Sequence, residues 1–379
     1  MIPRFRTLAD LPASLAGKRA LVRFDWNVPL AEDGSVGDDY RIRQSLETIR
    51  ALQSRGATVA AISHLGRDGE SLAPVVVALE EAGVPAFLAG DAASPDAPAT
   101  VSGAGGRIAL FENLRRNSGE ESNDPAFAAK LAKLGDIYVN EAFPVSHRAH
   151  ASVDALPRLL PSYAGAQFAR EVAALSKAFQ PKRPFTFILG GAKFDTKIPL
   201  LRRFQSADRI FLGGALLNDI LRARGIGVGI SLVSKNPPND LAEIAAWPNL
   251  VTPAKVVVTS PRGKRESAVD EVAPYEKIVD VAPSEAEKVV GGAASVLWNG
   301  PLGLFEEGFS AGTEAAARAV VASGAESIVG GGDTIAAIER ANLQDSFSFI
   351  STAGGAMLEF LAAETLPGIE ALAASPSVS

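Results

Sequence analysis

Ser327-Ile328-Val329-Gly330-Gly331-Gly332-Asp333-Thr334 runs from a short apolar stretch straight into three glycines and an acid. A buried strand that turns on glycine into the first turn of a helix has this form. The form repeats through the second half of the chain. Phe185 to Leu189 leads into Gly190-Gly191-Ala192-Lys193, and Arg209 to Leu212 leads into Gly213-Gly214. Ser295 to Trp298 leads into Asn299-Gly300-Pro301-Leu302-Gly303, and Phe347 to Ile350 into Thr352-Ala353-Gly354-Gly355. Val256 to Thr259 reads as a further buried strand. In the first half Arg19 to Phe24, Thr58 to Ser63, Arg107 to Phe111 and Asp136 to Val139 have the same apolar character. Helix-length segments separate these runs. One of them opens on Asn123-Asp124-Pro125 as cap and first residue and is expected to close at Gly135. Strands alternating with helices predict parallel sheets covered on both faces.

The length of 379 residues suits two such units. Prolines 157, 161, 181 and 184 punctuate the middle, and Tyr163 to Phe179 carries helical apolar spacing through Phe168, Val172, Leu175 and Phe179. The expected fold is therefore α/β, with two doubly wound parallel-sheet (Rossmann-like) domains joined by a hinge helix. The expected boundaries are 1–160, a connector at 161–183, 184–357, and a C-terminal segment at 358–379. Residues 91–106 and 371–379 are rich in Ala, Ser, Pro and Gly and read as loop and tail.

Composition removes several classes of function. The chain has no cysteine, which excludes disulfides, thiolate metal sites and cysteine nucleophiles. The net charge of −6 argues against a broad nucleic-acid or anionic-membrane surface. No apolar run is long enough to span a bilayer, and Met1 to Arg6 is not followed by the apolar core of a signal peptide. A cytoplasmic protein is expected.

In open α/β sheets ligands bind beyond the carboxyl ends of the strands. Five glycine turns on one such edge would offer close backbone approach and helix N-termini to phosphate, which points to a polyphosphate nucleotide. The usual nucleotide signatures are missing. No glycine is followed after four residues by Gly-Lys-Ser or Gly-Lys-Thr, and Gly225-Ile226-Gly227-Val228-Gly229 fails the dinucleotide pattern at its last position. Lys193 and Lys197 share a helix face and could neutralise phosphate charge. Asp333 suits a magnesium ion or a helix cap. Glu306 could accept from ribose hydroxyls.

The first-half strand ends carry a different chemistry. They read Arg23-Phe24-Asp25-Trp26-Asn27, His64-Leu65-Gly66-Arg67, Asn113-Leu114-Arg115 and His147-Arg148-Ala149-His150, with Arg41 opening a helix. All three histidines of the chain lie there. Arginines that match phosphate and carboxylate imply a small, multiply anionic substrate. A kinase closing two lobes on its substrates fits both halves.

These motifs resemble phosphoglycerate kinase across nearly the whole chain. Ser63-His64-Leu65-Gly66-Arg67, Gly135 to Phe143, Leu189 to Lys193, Trp298 to Pro301 and Gly330 to Thr334 carry the resemblance most strongly. It implies reversible transfer of the acyl phosphate of 1,3-bisphosphoglycerate to ADP, with Mg2+ and with ATP/ADP as co-substrate. It also implies hinge-bending and a monomer. Asp25, Trp26 and Asn27 would contact the glycerate end. Arg41, Arg67, Arg115 and Arg148 would hold the non-transferring phosphate, with His64, Leu65, Gly66, His147 and His150 around it. Arg23 and Lys193 would act on the transferring group. Gly190, Gly191, Lys197, Gly213, Gly214, Asn299, Glu306, Gly331, Gly332, Asp333, Thr334, Gly354 and Gly355 would form the nucleotide site, with Asp333 on the metal. In this family the C-terminal segment returns to the N-terminal lobe. Glu141, Pro144, Ala215, Lys255 and Ala353 depart from the usual pattern. The competing reading is a catalytically weakened homologue that serves as a binding protein.

Overall fold

The structure is a computed structural model, and it describes residues 2–67, 69–192 and 194–377. The strands are, in chain order, β1 (Arg19–Phe24), β2 (Thr58–Ile62), β3 (Ala86–Leu88), β4 (Ile108–Leu110), β5 (Ile137–Glu141), β6 (Ser162–Ala164), β7 (Phe185–Leu189), β8 (Arg209–Leu212), β9 (Leu250–Val251), β10 (Lys255–Ser260), β11 (Gly263–Ala268), β12 (Lys277–Val281), β13 (Ser295–Asn299), β14 (Glu326–Gly330) and β15 (Phe349–Ser351). They form two six-stranded parallel sheets, ordered β3-β4-β2-β1-β5-β6 and β15-β14-β13-β7-β8-β9, and one three-stranded antiparallel sheet, β11-β10-β12. The chain divides into two compact units. One takes in the chain up to Ala173 and again from Ala363 onward; the other is Ala174–Ala362.

The first unit is built around β1, paired on one side with β2 and on the other with β5. Its central strands are buried almost along their whole length because helices cover both faces. The helix Tyr40–Gln53 buries Ile42, Ser45, Ile49 and Leu52, a spacing that keeps one face on the sheet. The second unit has β13 and β7 at its centre, flanked by β14 and β8. All six strands of its main sheet are parallel, so the turns after β7, β8, β13, β14 and β15 share one edge.

Several sequence expectations need correction. The segment read as one helix from Tyr163 to Phe179 is a strand, a helix (Ala166–Ser176) and a 3-10 turn (Lys177–Phe179). Tyr163 pairs with Val139 in the sheet, and its place at the sheet edge overrides the helical spacing. The division between the two compact units falls inside the helix, between Ala173 and Ala174. Residues 91–106 contain a helix, Ala97–Ser102, with proline in its first turn. The tail contains another, Pro367–Ala373. That helix lies on the first unit, where the Gly368 N–H donates to the Ser146 carbonyl at 3.0 Å. Val256 to Thr259 belongs to the antiparallel sheet, not to a parallel one. The helix opened by Asp124, whose carboxylate accepts from the Ala126 N–H at 2.9 Å, ends at Ala132. Gly135 serves packing instead, since a Cβ there would lie 2.7 Å from Leu21 Cβ.

Candidate active site

In the first unit the site grows from the carboxyl ends of β1, β2 and β5. Arg23, the fifth residue of β1, is only 1% exposed. Its Nε donates to Ser152 Oγ at 2.9 Å, Nη1 donates to the Phe24 carbonyl, and Nη2 lies 3.1 Å from His64 Nδ1. Ser152 sits in a single π-helical turn, Ala151–Ala155, a local geometry that often marks functional sites. His64 follows β2 and is 3% exposed. Burial, reinforced by the charges of Arg23, Arg115, Arg41 and Arg148, pushes its pKa down to about 2. The ring is therefore neutral at pH 7. The arginine N–H facing Nδ1 assigns that nitrogen as the acceptor and leaves the proton on Nε2. That four arginines act on one imidazole is the electrostatic sign that the structure gathers them.

The neighbouring contacts fix the rim. Arg41 Nη1 pairs with Asp25 Oδ2 at 2.6 Å, while the buried Asp25 Oδ1 has no hydrogen-bond partner among the described residues. Asn27 Oδ1 accepts from the Gly66 N–H at 2.9 Å, and Arg115 Nη1 donates to the Gly66 carbonyl at 2.5 Å, so the Gly66 turn is held from both sides. Arg67 and Arg148 are exposed. His147 Nε2 accepts from Arg148 Nε at 3.3 Å. Burial, with Arg23 next in effect, lowers His150 to about 4, although Glu121 opposes the shift. Two residues expected to touch substrate are core residues by their side chains. Trp26 is fully buried, stacked on Phe24 with ring centroids 4.1 Å apart, and its indole N–H donates to Ser45 Oγ at 3.0 Å. Leu65 is buried in the same core.

In the second unit the glycine turns do two different things. The N–H groups of Gly190, Gly191, Gly213 and Gly214 donate to the carbonyls of Asn299, Pro301, Leu189 and Leu302 at 2.8–3.0 Å. A Cβ on Gly190 would come within 2.1 Å of the Pro301 oxygen. The expectation that these four offer N–H groups to phosphate is therefore corrected: they let the turns after β7, β8 and β13 nest against one another. Gly332 and Gly354 are different, because a Cβ at either would meet nothing within 4 Å. Gly332 opens the helix Gly332–Arg340, with Gly331 as its cap, and Gly355 opens Gly355–Ala363. First-turn N–H groups of a helix have no intrahelical acceptor, so these two turns keep the capacity to bind an anion. Asp333 is exposed in the first turn, and Thr334 beside it is buried with no hydrogen-bond partner for its hydroxyl among the described residues.

Lys197 and Asn299 meet: the buried ammonium donates to Asn299 Oδ1 and lies 3.5 Å from its carbonyl. Glu306 is exposed on the 3-10 turn Phe305–Glu307. Lys193 lies outside the described residues.

Sequence reasoning missed Glu120 and Ser152. Both are buried, and Ser152 donates twice to Glu120, from Oγ at 2.6 Å and from its backbone N–H at 3.0 Å. Glu120 stands in the run Gly119-Glu120-Glu121-Ser122, which looks like a solvated loop, and no local signal separates it from its exposed neighbour.

The family model for phosphoglycerate kinase matches residues 8–364. The phosphoglycerate kinase of Azorhizobium caulinodans is 43% identical over 98% of this chain and all of its own length. That of Herpetosiphon aurantiacus is 42% identical over 97% of this chain and 98% of its own. Among solved structures, the phosphoglycerate kinase from Coxiella burnetii superposes with a TM-score of 0.84 at 37% identity, covering 97% of this chain and 99% of that one. The enzyme from Pyrococcus horikoshii gives 0.82 at 28% identity, covering 97% and 98%. With matched sequence, length and fold, the chain belongs to the phosphoglycerate kinase family.

Proposed function

We infer that this chain catalyses reversible transfer of the acyl phosphate of 1,3-bisphosphoglycerate to ADP, yielding 3-phosphoglycerate and ATP. The observation that carries this reading is the convergence of Arg23, Arg41, Arg115 and Arg148 on one neutral histidine. Such a field suits a small molecule with several negative charges and no need of a base. The acceptor in the reverse direction is a carboxylate, already ionised at pH 7, so no proton has to be removed. Catalysis then reduces to positioning and charge stabilisation. In this reading Arg41, Arg67, Arg115 and Arg148 hold the distal phosphate, Asp25 and Asn27 orient the glycerate, and His64 donates from Nε2. Arg23 and Lys193 stabilise the transferring group, and Lys197 and Asn299 face the nucleotide. Glu306 accepts from the ribose.

The residues after β14 fit the magnesium that such a kinase uses. Among the described residues no group of three or more acidic or histidine side chains could hold a metal. Asp333 offers a carboxylate at a helix start that suits phosphate, and magnesium commonly takes one protein carboxylate with phosphate and water oxygens. The ion, when bound, neutralises charge on the nucleotide phosphates.

Direct transfer needs reacting atoms about 3–3.5 Å apart, which calls for hinge-bending closure when both ligands are present. The enzyme is read as a cytoplasmic monomer; no helix among the described residues is long and apolar enough to cross a membrane.

The test is a coupled assay with 3-phosphoglycerate, ATP and magnesium, run beside Lys193→Met. ADP formation should require 3-phosphoglycerate and magnesium. Lys193→Met should lower kcat by about 100-fold, the scale of losing one preorganised charge-stabilising donor, with little change in ADP affinity. ATP hydrolysis indifferent to 3-phosphoglycerate would refute the activity. Near-normal kcat in Lys193→Met would remove that lysine from the mechanism.

A further inference from the structure

Arg23 is a cation held almost wholly out of water, yet among the described residues its contacts are all neutral: Ser152 Oγ, the Phe24 carbonyl and His64 Nδ1. A buried charge needs compensation nearby. The negative charge stands one side chain further on. Glu120, itself 1% exposed, accepts from Ser152 Oγ at 2.6 Å and from the Ser152 N–H at 3.0 Å. A serine hydroxyl has a single proton. That proton is committed to Glu120, so the oxygen must turn a lone pair to Arg23 Nε. The direction of the relay is thereby fixed, with Arg23 donating to Ser152 and Ser152 donating to Glu120. Tyr138 clamps the same turn from below, its hydroxyl donating to the Ser152 carbonyl at 2.7 Å. His150 Nδ1 is 4.0 Å from Glu120 Oε1, the same oxygen that accepts from Ser152 Oγ.

We propose that Glu120 and Ser152 are positioning residues for Arg23: the buried carboxylate, acting through one hydroxyl, locks the guanidinium so that its free N–H groups face the transferring phosphate. A guanidinium has five N–H donors. Three are taken by the contacts above, which leaves two, one on each terminal nitrogen. With Nε anchored to Ser152, rotation about the end of the side chain is blocked and these two donors keep one orientation. Donors fixed before reaction stabilise developing charge better than donors that must reorient. This inference rests on the reading of Arg23 as the group that meets the transferring phosphate.

The experiment compares Ser152→Ala, Ser152→Thr, Glu120→Gln, the Ser152→Ala/Glu120→Gln pair and Arg23→Met in the full chain. Steady-state kinetics give kcat, and calorimetry gives affinity for 3-phosphoglycerate and ADP. Ser152→Ala and Glu120→Gln should each lower kcat by about tenfold or more, with either affinity changed by less than about threefold. The pair should be no worse than Ser152→Ala alone, because Ser152→Ala already breaks the relay through which the Glu120 charge acts. Ser152→Thr, which keeps the hydroxyl, should recover kcat to within about threefold of the parent. If Arg23→Met loses activity while Ser152→Ala stays within about twofold of the parent, the positioning role is overturned and the reading of Arg23 stands. If Arg23→Met itself keeps its kcat, the reading of Arg23 fails, and this inference with it. A second readout does not depend on any variant folding. In the unsubstituted enzyme the Arg23 Nε–H signal should exchange slowly with solvent by nitrogen–proton NMR, and fast exchange would overturn the relay.

Discussion

His64 should remain uncharged far below the pH at which an ordinary histidine takes up a proton, and replacing it should make the first unit more acid-resistant. Its folded pKa is about 2, against 6.5 for the free side chain, first because it is buried and then because four arginines oppose a further positive charge. The ring is only 3% exposed, so solvent does little to screen these effects. A base whose folded pKa is depressed costs nothing above its unfolded pKa. Below pH 6.5 the unfolded chain binds a proton that the folded chain refuses, and stability falls as pH falls. At pH 5 the gap is 1.5 pH units, which at 1.36 kcal/mol per unit is about 2 kcal/mol. His64→Asn keeps an acceptor where Nδ1 accepts from Arg23 and removes the titration. Urea unfolding, followed through the transition that exposes Trp26, should show the gap between parent and variant moving in the variant's favour by about 2 kcal/mol between pH 7.5 and pH 5. With only three histidines in the chain, the imidazole carbon-bound protons are also resolvable by NMR, and the His64 signals should stay flat over that range. A difference in unfolding free energy that does not change with pH, or a His64 signal that titrates above pH 5, would refute the reasoning.

Arg41→Ala should weaken 3-phosphoglycerate binding by about tenfold or more, since it removes a charge and leaves the buried Asp25 without its ion pair, while ADP affinity is unchanged. Sulfate should compete with 3-phosphoglycerate in the parent; calorimetry showing equal 3-phosphoglycerate affinity in parent and variant would rule out the assignment. Glu141→Gln should change how stability depends on pH. Burial raises the Glu141 carboxyl to about 7 from 4.5, against the pull of Thr48 and the N–H groups of Gln167 and Phe168. Ionisation therefore costs nothing below pH 4.5, and the cost grows as pH rises to 7 and is constant above. At 1.36 kcal/mol per unit over 2.5 units, the parent should lose about 3 kcal/mol relative to the variant between pH 4.5 and pH 8. Parallel stability curves for the two proteins would count against it.

The strands at the centre of each sheet were legible because burial on both faces gives them apolar runs, as in Val59 to Ile62 and Val296 to Trp298. The edges were not. β3 and β6 are three residues each, too short for a pattern, and Tyr163 sat inside a helical spacing that sheet pairing overrode. β11 reads Gly263-Lys264-Arg265-Glu266-Ser267-Ala268, mostly polar and exposed, so nothing in its composition signalled a strand until β10 paired with it. The arginines and histidines of the site were legible by type and by place at strand ends. The relay behind them was not, because Glu120 and Ser152 are 32 positions apart and an acid in a Gly-Glu-Glu-Ser run carries no mark of burial.

Two departures from the family pattern can be judged on backbone geometry. A glycine replaced by alanine matters most where the backbone needs positive φ or where a Cβ has no room. At the turn after β8 the positive angle belongs to Gly214, at φ +60, and a Cβ there would lie 2.6 Å from the Gly191 nitrogen. Ala215 is the next residue, already inside the helix Gly214–Ala223, and its N–H donates to the Gly191 carbonyl at 3.1 Å. Alanine is a better helix former than glycine, so this replacement is compatible with the turn that nests against the β13 loop. The turn after β15 divides its work in the same way. Gly354 takes the left-handed angle, at φ +54 with open space around it, while Ala353 does not need a positive φ and its carbonyl accepts from the Ala356 N–H at 3.1 Å. The alanines stand beside the positions where glycine is obligatory, which is why the turns keep their shape despite the changed sequence.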